Sequence, residues 1–162
     1  MAGNYVLRLY ERFGRLPLGR RLFSRFAARQ APYFQSVAPQ VLTLSAGNCE
    51  VLIRKRRAVT NHIGTVHVIA IANGLEMAMG IMAEASIPPT LRWLPKGMTL
   101  DYVSKGATDI RCVASLPAQA WQPGEVKVPV SAFDTADAAV VTGTITLWVT
   151  EKPAEQKPAH QA

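Results

Sequence analysis

Between Thr65 and Ala83 the chain is apolar on nearly every helical face and holds one carboxylate, Glu76. A helix apolar all round has no polar stripe for water, so this pattern predicts a buried helix. Pro88-Pro89 ends it near Ala85, and Thr65 reads as its cap. Ahead of it, residues 40–46 read as a strand and Gly47-Asn48 as a turn. Residues 49–57 then alternate, with Cys49, Val51 and Ile53 on one face and Glu50, Arg54 and Arg56 partly on the other. That is a hairpin pattern. Behind the helix, residues 90–94, 98–105, 107–116, 125–134 and 138–150 are rich in Val, Ile, Thr, Tyr, Phe and Trp. Breaks fall at Lys96-Gly97, Gly106, Pro117 and Pro123-Gly124, and Ile145, Leu147 and Val149 alternate cleanly with Thr146 and Trp148. The expected order is two strands, one long buried helix and three or four more strands. One curved antiparallel sheet can wrap such a helix, which makes the class α+β.

Residues 5–30 read as two short amphipathic helices, with Gly14, Pro17 and Gly19 between them. Pro32 and Pro39 bracket the link to the first strand. The chain therefore divides into a helical extension at 1–36, one domain at 37–150, and a polar, proline-bearing tail at 151–162 that reads as disordered. There is no internal repeat.

Charge sharpens this picture. The net charge is +7, but residues 1–30 hold seven arginines against Glu11 alone, which leaves +1 for the rest. A local excess of this kind does not describe a nucleic-acid platform, and no aromatic residues interleave with it. It suits a solvated helix face, an acidic carrier surface, or peripheral contact between residues 5–30 and an acidic membrane. Cys49 and Cys112 lack a C-x-x-C or a Cys/His cluster, so no metal site is expected. Buried thiols fit a reducing cytoplasm. The N-terminus has the charge of a leader without a continuous apolar core, and its Arg-rich, acid-poor start is the one feature that suits organellar import. The apolar run has nearly the length of a membrane span, yet Glu76, Asn73, His67 and two glycines make insertion costly.

Candidate chemistry gathers where the helix begins. A lone carboxylate among apolar side chains is a candidate base, because desolvation favours its taking up a proton. Just upstream stands Asn61-His62-Ile63-Gly64-Thr65-Val66-His67, next to where helix N–H groups lie free. Asn73 stands at i−3 from Glu76, within reach of a hydrogen bond to it. Met77, Met79 and Met82 read as adaptable core. In Arg54-Lys55-Arg56-Arg57, strand geometry would set Arg54 and Arg56 on one face and Lys55 and Arg57 on the other.

The spacing Asn61, Gly64, Thr65, His67, with an acid nine residues after the histidine, resembles hotdog-fold thioesterases of the phenylacetate-degradation type. The helical extension is similar to that of a poorly characterised hotdog family. The resemblance implies a hotdog domain, a homodimer or dimer of dimers, and hydrolysis of an acyl-CoA or acyl carrier protein thioester. No cofactor is implied beyond the coenzyme A of the substrate. Glu76 would be the base, the Val68 N–H would polarise the carbonyl, and Asn61 and His67 would hold water or thioester. Gly64, Thr65 and Asn73 would contact substrate, with Arg56 and Arg57 available to phosphates. Where those enzymes carry two glycines after the histidine, this chain has Val68-Ile69. Nine helical residues rise about 13–14 Å, so His67 and Glu76 of one helix cannot serve one atom. A second chain must supply one of them. His62 and Glu76, 14 apart, resemble the spacing of hotdog dehydratases, but residues 63–75 lack the proline of their loop. The alternative to an enzyme is a non-catalytic module that binds acyl thioesters.

Overall fold

The computed structural model describes residues 4–153. Two helices come first, α1 (Tyr5–Gly14) and α2 (Gly19–Gln30), followed by a 3-10 turn at Pro32–Val37. The hairpin β1 (Gln40–Ser45) and β2 (Asn48–Ile53) leads through a loop to α3 (Val68–Ser86). Then come β3 (Leu91–Tyr102), β4 (Ile110–Ser115), β5 (Gly124–Phe133) and β6 (Ala139–Glu151). The six strands form one antiparallel sheet in the order β1-β2-β4-β5-β6-β3, curved around α3. This is the hotdog arrangement.

The core explains the order. Ile71, Leu75, Met79 and Met82 of α3 are buried against the inner residues of the sheet, Val51, Ile53, Ile110, Ile145 and Leu147 among them. α3 comes close to β2 and β4 because Gly74 has no side chain: a Cβ there would stand 2.9 Å from Cys112 Sγ and would strike the Ile53 side chain. By length and mean hydropathy (1.4) α3 could cross a membrane, but here it is the core helix of a wrapped sheet. Cys49 and Cys112 are both buried and unpaired, and burial pushes both thiols up from their ordinary range.

The extension is packed onto this core. Phe23 of α2 is fully buried and meets Tyr10 edge-to-face at 5.1 Å. The buried Ser24 hydroxyl accepts the Val41 N–H at 2.8 Å, tying α2 to β1. Asn4 caps α1 by accepting the Val6 N–H, and its amide donates to the Glu84 carbonyl at 2.7 Å.

Several boundaries differ from the sequence reading. β2 stops at Ile53, so Arg54–Arg57 do not share strand faces. The expected strands at 90–94 and 98–105 are one strand, β3, with a bulge between Pro95 and Gly97. A proline is tolerated there because β3 is an edge and the bulge interrupts the ladder. Glu151, expected in the tail, is the last residue of β6, paired with Leu91. Lys152, also expected in the tail, donates its N–H to the Thr90 carbonyl at 2.8 Å, and residues 154–162 of the expected tail lie outside the described residues.

Candidate active site

Asn61 builds the loop before α3. Its Oδ1 accepts the N–H groups of Ile63 (3.2 Å) and Thr65 (3.1 Å), and its Nδ2 donates to Thr65 Oγ1 at 2.9 Å. The Gly64 N–H donates to the Asn61 carbonyl, and Gly64 turns the chain at φ +77. Side-chain closure of this kind is a turn device that Asn supplies readily, and glycine meets the positive φ without strain. Asn61, Gly64 and Thr65 thus spend their polar groups on the loop. Thr65 is not the helix cap, because the chain continues through Val66, which is buried. His67 takes that place: its Nδ1 accepts the Ile69 N–H at 3.1 Å. The first helical residue, Val68, has an N–H with no protein acceptor among the described residues.

Glu76 sits midway along α3 on the stripe Ile69, Ala72, Glu76, Gly80, Glu84, the side of the helix least covered by its own chain. It is half-buried and makes no ion pair or side-chain hydrogen bond among the described residues. The expected Asn73–Glu76 hydrogen bond is absent. Asn73 is 5% exposed and its Nδ2 donates instead to the Tyr33 carbonyl at 3.4 Å. The Pro32–Val37 turn lies against α3 and offers that carbonyl to the buried side of the helix, away from the carboxylate.

Three recesses surround these groups. One, about 310 Å³, brings together Asn61, His62, Thr65, His67, Val68 and Tyr102. A second, about 220 Å³, joins His67 and Asn73 with Tyr33, Ser36 and Thr60. The third is an apolar groove of about 230 Å³ between the extension and α3, walled by Phe23, Phe26, Phe34, Met77, Gly80 and Trp93. Glu76 lines none of them, but its helical neighbours Met77 and Gly80 line the groove. Arg56 and Arg57 also stand apart: Arg56 donates to the Ser36 carbonyl at 2.9 Å, and Arg57 opens a short 3-10 turn, Arg57–Val59. No group of three or more His, Cys, Asp or Glu suited to a metal occurs among the described residues. The sequence reading did not find the groove, whose aromatic wall joins α2 (Phe23, Phe26), the Pro32–Val37 turn (Phe34) and β3 (Trp93). The signal was there in Phe23, Phe26 and Phe34.

Comparison with known proteins adds the family. The family described as a domain of unknown function (DUF4442) matches residues 19–149. The chain belongs to the DUF4442 family. A structural-genomics crystal structure, genomics APC5556, shares 41% identity with this DUF4442 chain at a TM-score of 0.80, over 91% of this chain and 99% of the other. A Pseudomonas aeruginosa protein of unknown function described as a probable thioesterase superimposes at a TM-score of 0.71 with 18% identity, over 85% and 97% of the two chains. A thioesterase family protein from Silicibacter pomeroyi follows at 0.68 and 16%, over 84% and 100%. The last two likenesses carry the fold alone. No curated protein matches this DUF4442 chain.

Proposed function

We propose that the chain hydrolyses an acyl thioester as a homodimer, with Glu76 as general base. The observation that carries this reading is Glu76 itself. It is the one carboxylate in the apolar run 65–83, half-buried, without an ion-pair partner among the described residues, on the open face of the central helix.

In the proposed reaction the Glu76 carboxylate takes a proton from water, and the hydroxide so formed attacks the thioester carbon. The developing oxyanion needs an N–H donor. Val68 has one to offer, but eight residues of helix place it about 12 Å from Glu76 of the same chain. Val68 of the partner subunit is the donor this geometry calls for. Collapse of the tetrahedral intermediate breaks the C–S bond, and the protonated Glu76 returns its proton to the thiolate. The apolar groove beside Met77 and Gly80 suits the acyl chain. Support for a dimer comes from β3, a 12-residue edge strand on which Leu94 is 68% and Tyr102 64% exposed. Beyond the bulge at Pro95–Gly97, the regular edge from Met98 to Tyr102 presents backbone groups that a second copy can pair.

The test is thiol release from a panel of acyl-CoA and acyl carrier protein thioesters of increasing chain length. Wild-type turnover is expected, with Glu76→Gln lowering kcat on the order of a hundredfold or more and leaving ligand binding in place. A wild type that binds acyl thioesters and turns none of them over is a binding module, and the hydrolase reading then fails.

A further inference from the structure

Three of the N-terminal arginines line a cleft with residues of the domain. Arg21, Arg25 and Arg29 succeed one another every fourth residue along one face of α2, and Arg54, just past the end of β2, faces them across a cleft of about 400 Å³. Gln35 and Gln40 complete its polar rim. The floor is small: the buried Ser24 and Ala28, whose side chains leave the space between the arginines open. Among the described residues no carboxylate lines the cleft. Among the described residues Arg21, Arg25 and Arg29 form no ion pair, and Arg54 reaches only Asp109, at 3.8 Å and largely in water. Four guanidinium groups around one hollow repel one another, and an anion that enters it relieves that repulsion.

We propose that this cleft holds the phosphorylated nucleotide end of a coenzyme A thioester. Arginine presents paired N–H donors that match phosphate oxygens two at a time, so a ligand with several phosphates engages several of these side chains. The four arginines line one recess together with small residues, and a recess of this size suits a small polyphosphorylated molecule better than a membrane or a folded acidic protein. The two glutamine amides offer donors and acceptors to ribose and base. Position agrees as well. Gln40 begins β1 and Arg54 follows β2, so the cleft opens at the end of the sheet from which the loop runs to His67. The Pro32–Val37 turn separates it from the recess of His67 and Asn73: Gln35 lines the cleft, while Tyr33 and Ser36 line the recess. A pantetheine arm that leaves the arginines over this turn arrives at the start of α3.

The inference rests on the thioester reading for the identity of the ligand, but it is tested by binding alone. Coenzyme A, dephospho-coenzyme A and pantetheine are titrated calorimetrically into the full chain, at low and at high salt. Affinity is expected to fall in that order and, for coenzyme A, to weaken with salt. The Arg25→Gln/Arg29→Gln double variant should bind coenzyme A roughly tenfold or more weakly, one lost charge-assisted phosphate pair being worth about a factor of ten. It should leave pantetheine unaffected, and Arg25→Lys/Arg29→Lys should recover part of the loss. Both substituted positions, Arg25 and Arg29, are exposed, and unchanged thermal melts establish that the variants fold. Equal binding of coenzyme A by wild type and double variant overturns the proposal. So does a double variant impaired only toward acyl carrier protein, which would assign the arginines to an acidic protein surface. Arginine-dependent coenzyme A binding without any thioester turnover upholds the cleft and sinks the hydrolase reading instead.

Discussion

The side-chain amide of Asn73 donates to the Tyr33 carbonyl at 3.4 Å and leaves its own Oδ1 buried without a donor among the described residues. A long hydrogen bond on one side and an orphaned acceptor on the other make a poor structural contact. An unsatisfied buried polar atom costs about 1–3 kcal/mol. Asn73→Leu is therefore expected to hold stability or raise it by about 1 kcal/mol, read from chemical denaturation. Turnover should fall if the amide serves a ligand in the His67 recess. A clear loss of stability would show the amide to be structural.

His67 combines a cap with a position on two recesses, and two variants separate the roles. His67→Ala removes the acceptor for the Ile69 N–H and should cost about 1 kcal/mol. His67→Asn restores a good capping side chain and should recover that stability. Turnover that returns with asparagine shows that His67 acts by setting the first turn of α3. Turnover that stays low shows that the imidazole itself meets the substrate.

The exposed edge β3 should be the dimer contact. Leu94→Lys combined with Tyr102→Lys places charges on side chains that already face solvent, so the fold should survive. Light scattering after size exclusion is expected to show monomers, and thioester turnover should fall with the dimer. A wild type that is monomeric at high concentration removes the shared site altogether.

Burial holds the Cys49 and Cys112 thiols above their usual range, with the carboxylate of Glu50 adding to the effect at Cys49. The unfolded chain ionises first as pH climbs. Stability from this source is complete below the ordinary thiol range, near pH 8.5, and declines above it, by up to about 1.4 kcal/mol per pH unit for each thiol. Denaturation midpoints should drop between roughly pH 9 and 11. Both cysteines should resist alkylation at pH 8.5 in the native protein and react once it unfolds.

Much of the fold was legible because burial writes itself into periodicity. The all-apolar stretch after His67 marks a buried helix, the alternation of Ile145, Leu147 and Val149 states which side of a strand faces the core, and both appear as read. The bulge in β3 was hidden, because Pro95-Lys96-Gly97 is also what a chain break looks like. The site was less legible. Asn61 and Thr65 match a motif by identity, but which way an amide points depends on the loop that it closes. The pairing of Arg54 with Arg21, Arg25 and Arg29 is a tertiary fact, since α2 must first dock on β1 through Ser24. The four-residue spacing on α2 was the visible half. Its counterpart lay in a run expected to continue β2.

The short turn at Pro32–Val37 is a party wall with a different room on each side. Phe34 belongs to the apolar groove, Tyr33 and Ser36 to the recess of His67, and Gln35 to the arginine cleft. Moving it to enlarge one room shrinks or reshapes the others. If the groove holds the acyl chain as proposed, relatives that prefer longer or shorter chains should alter its far walls, at Phe26 or Ile81, and leave these six residues where they stand.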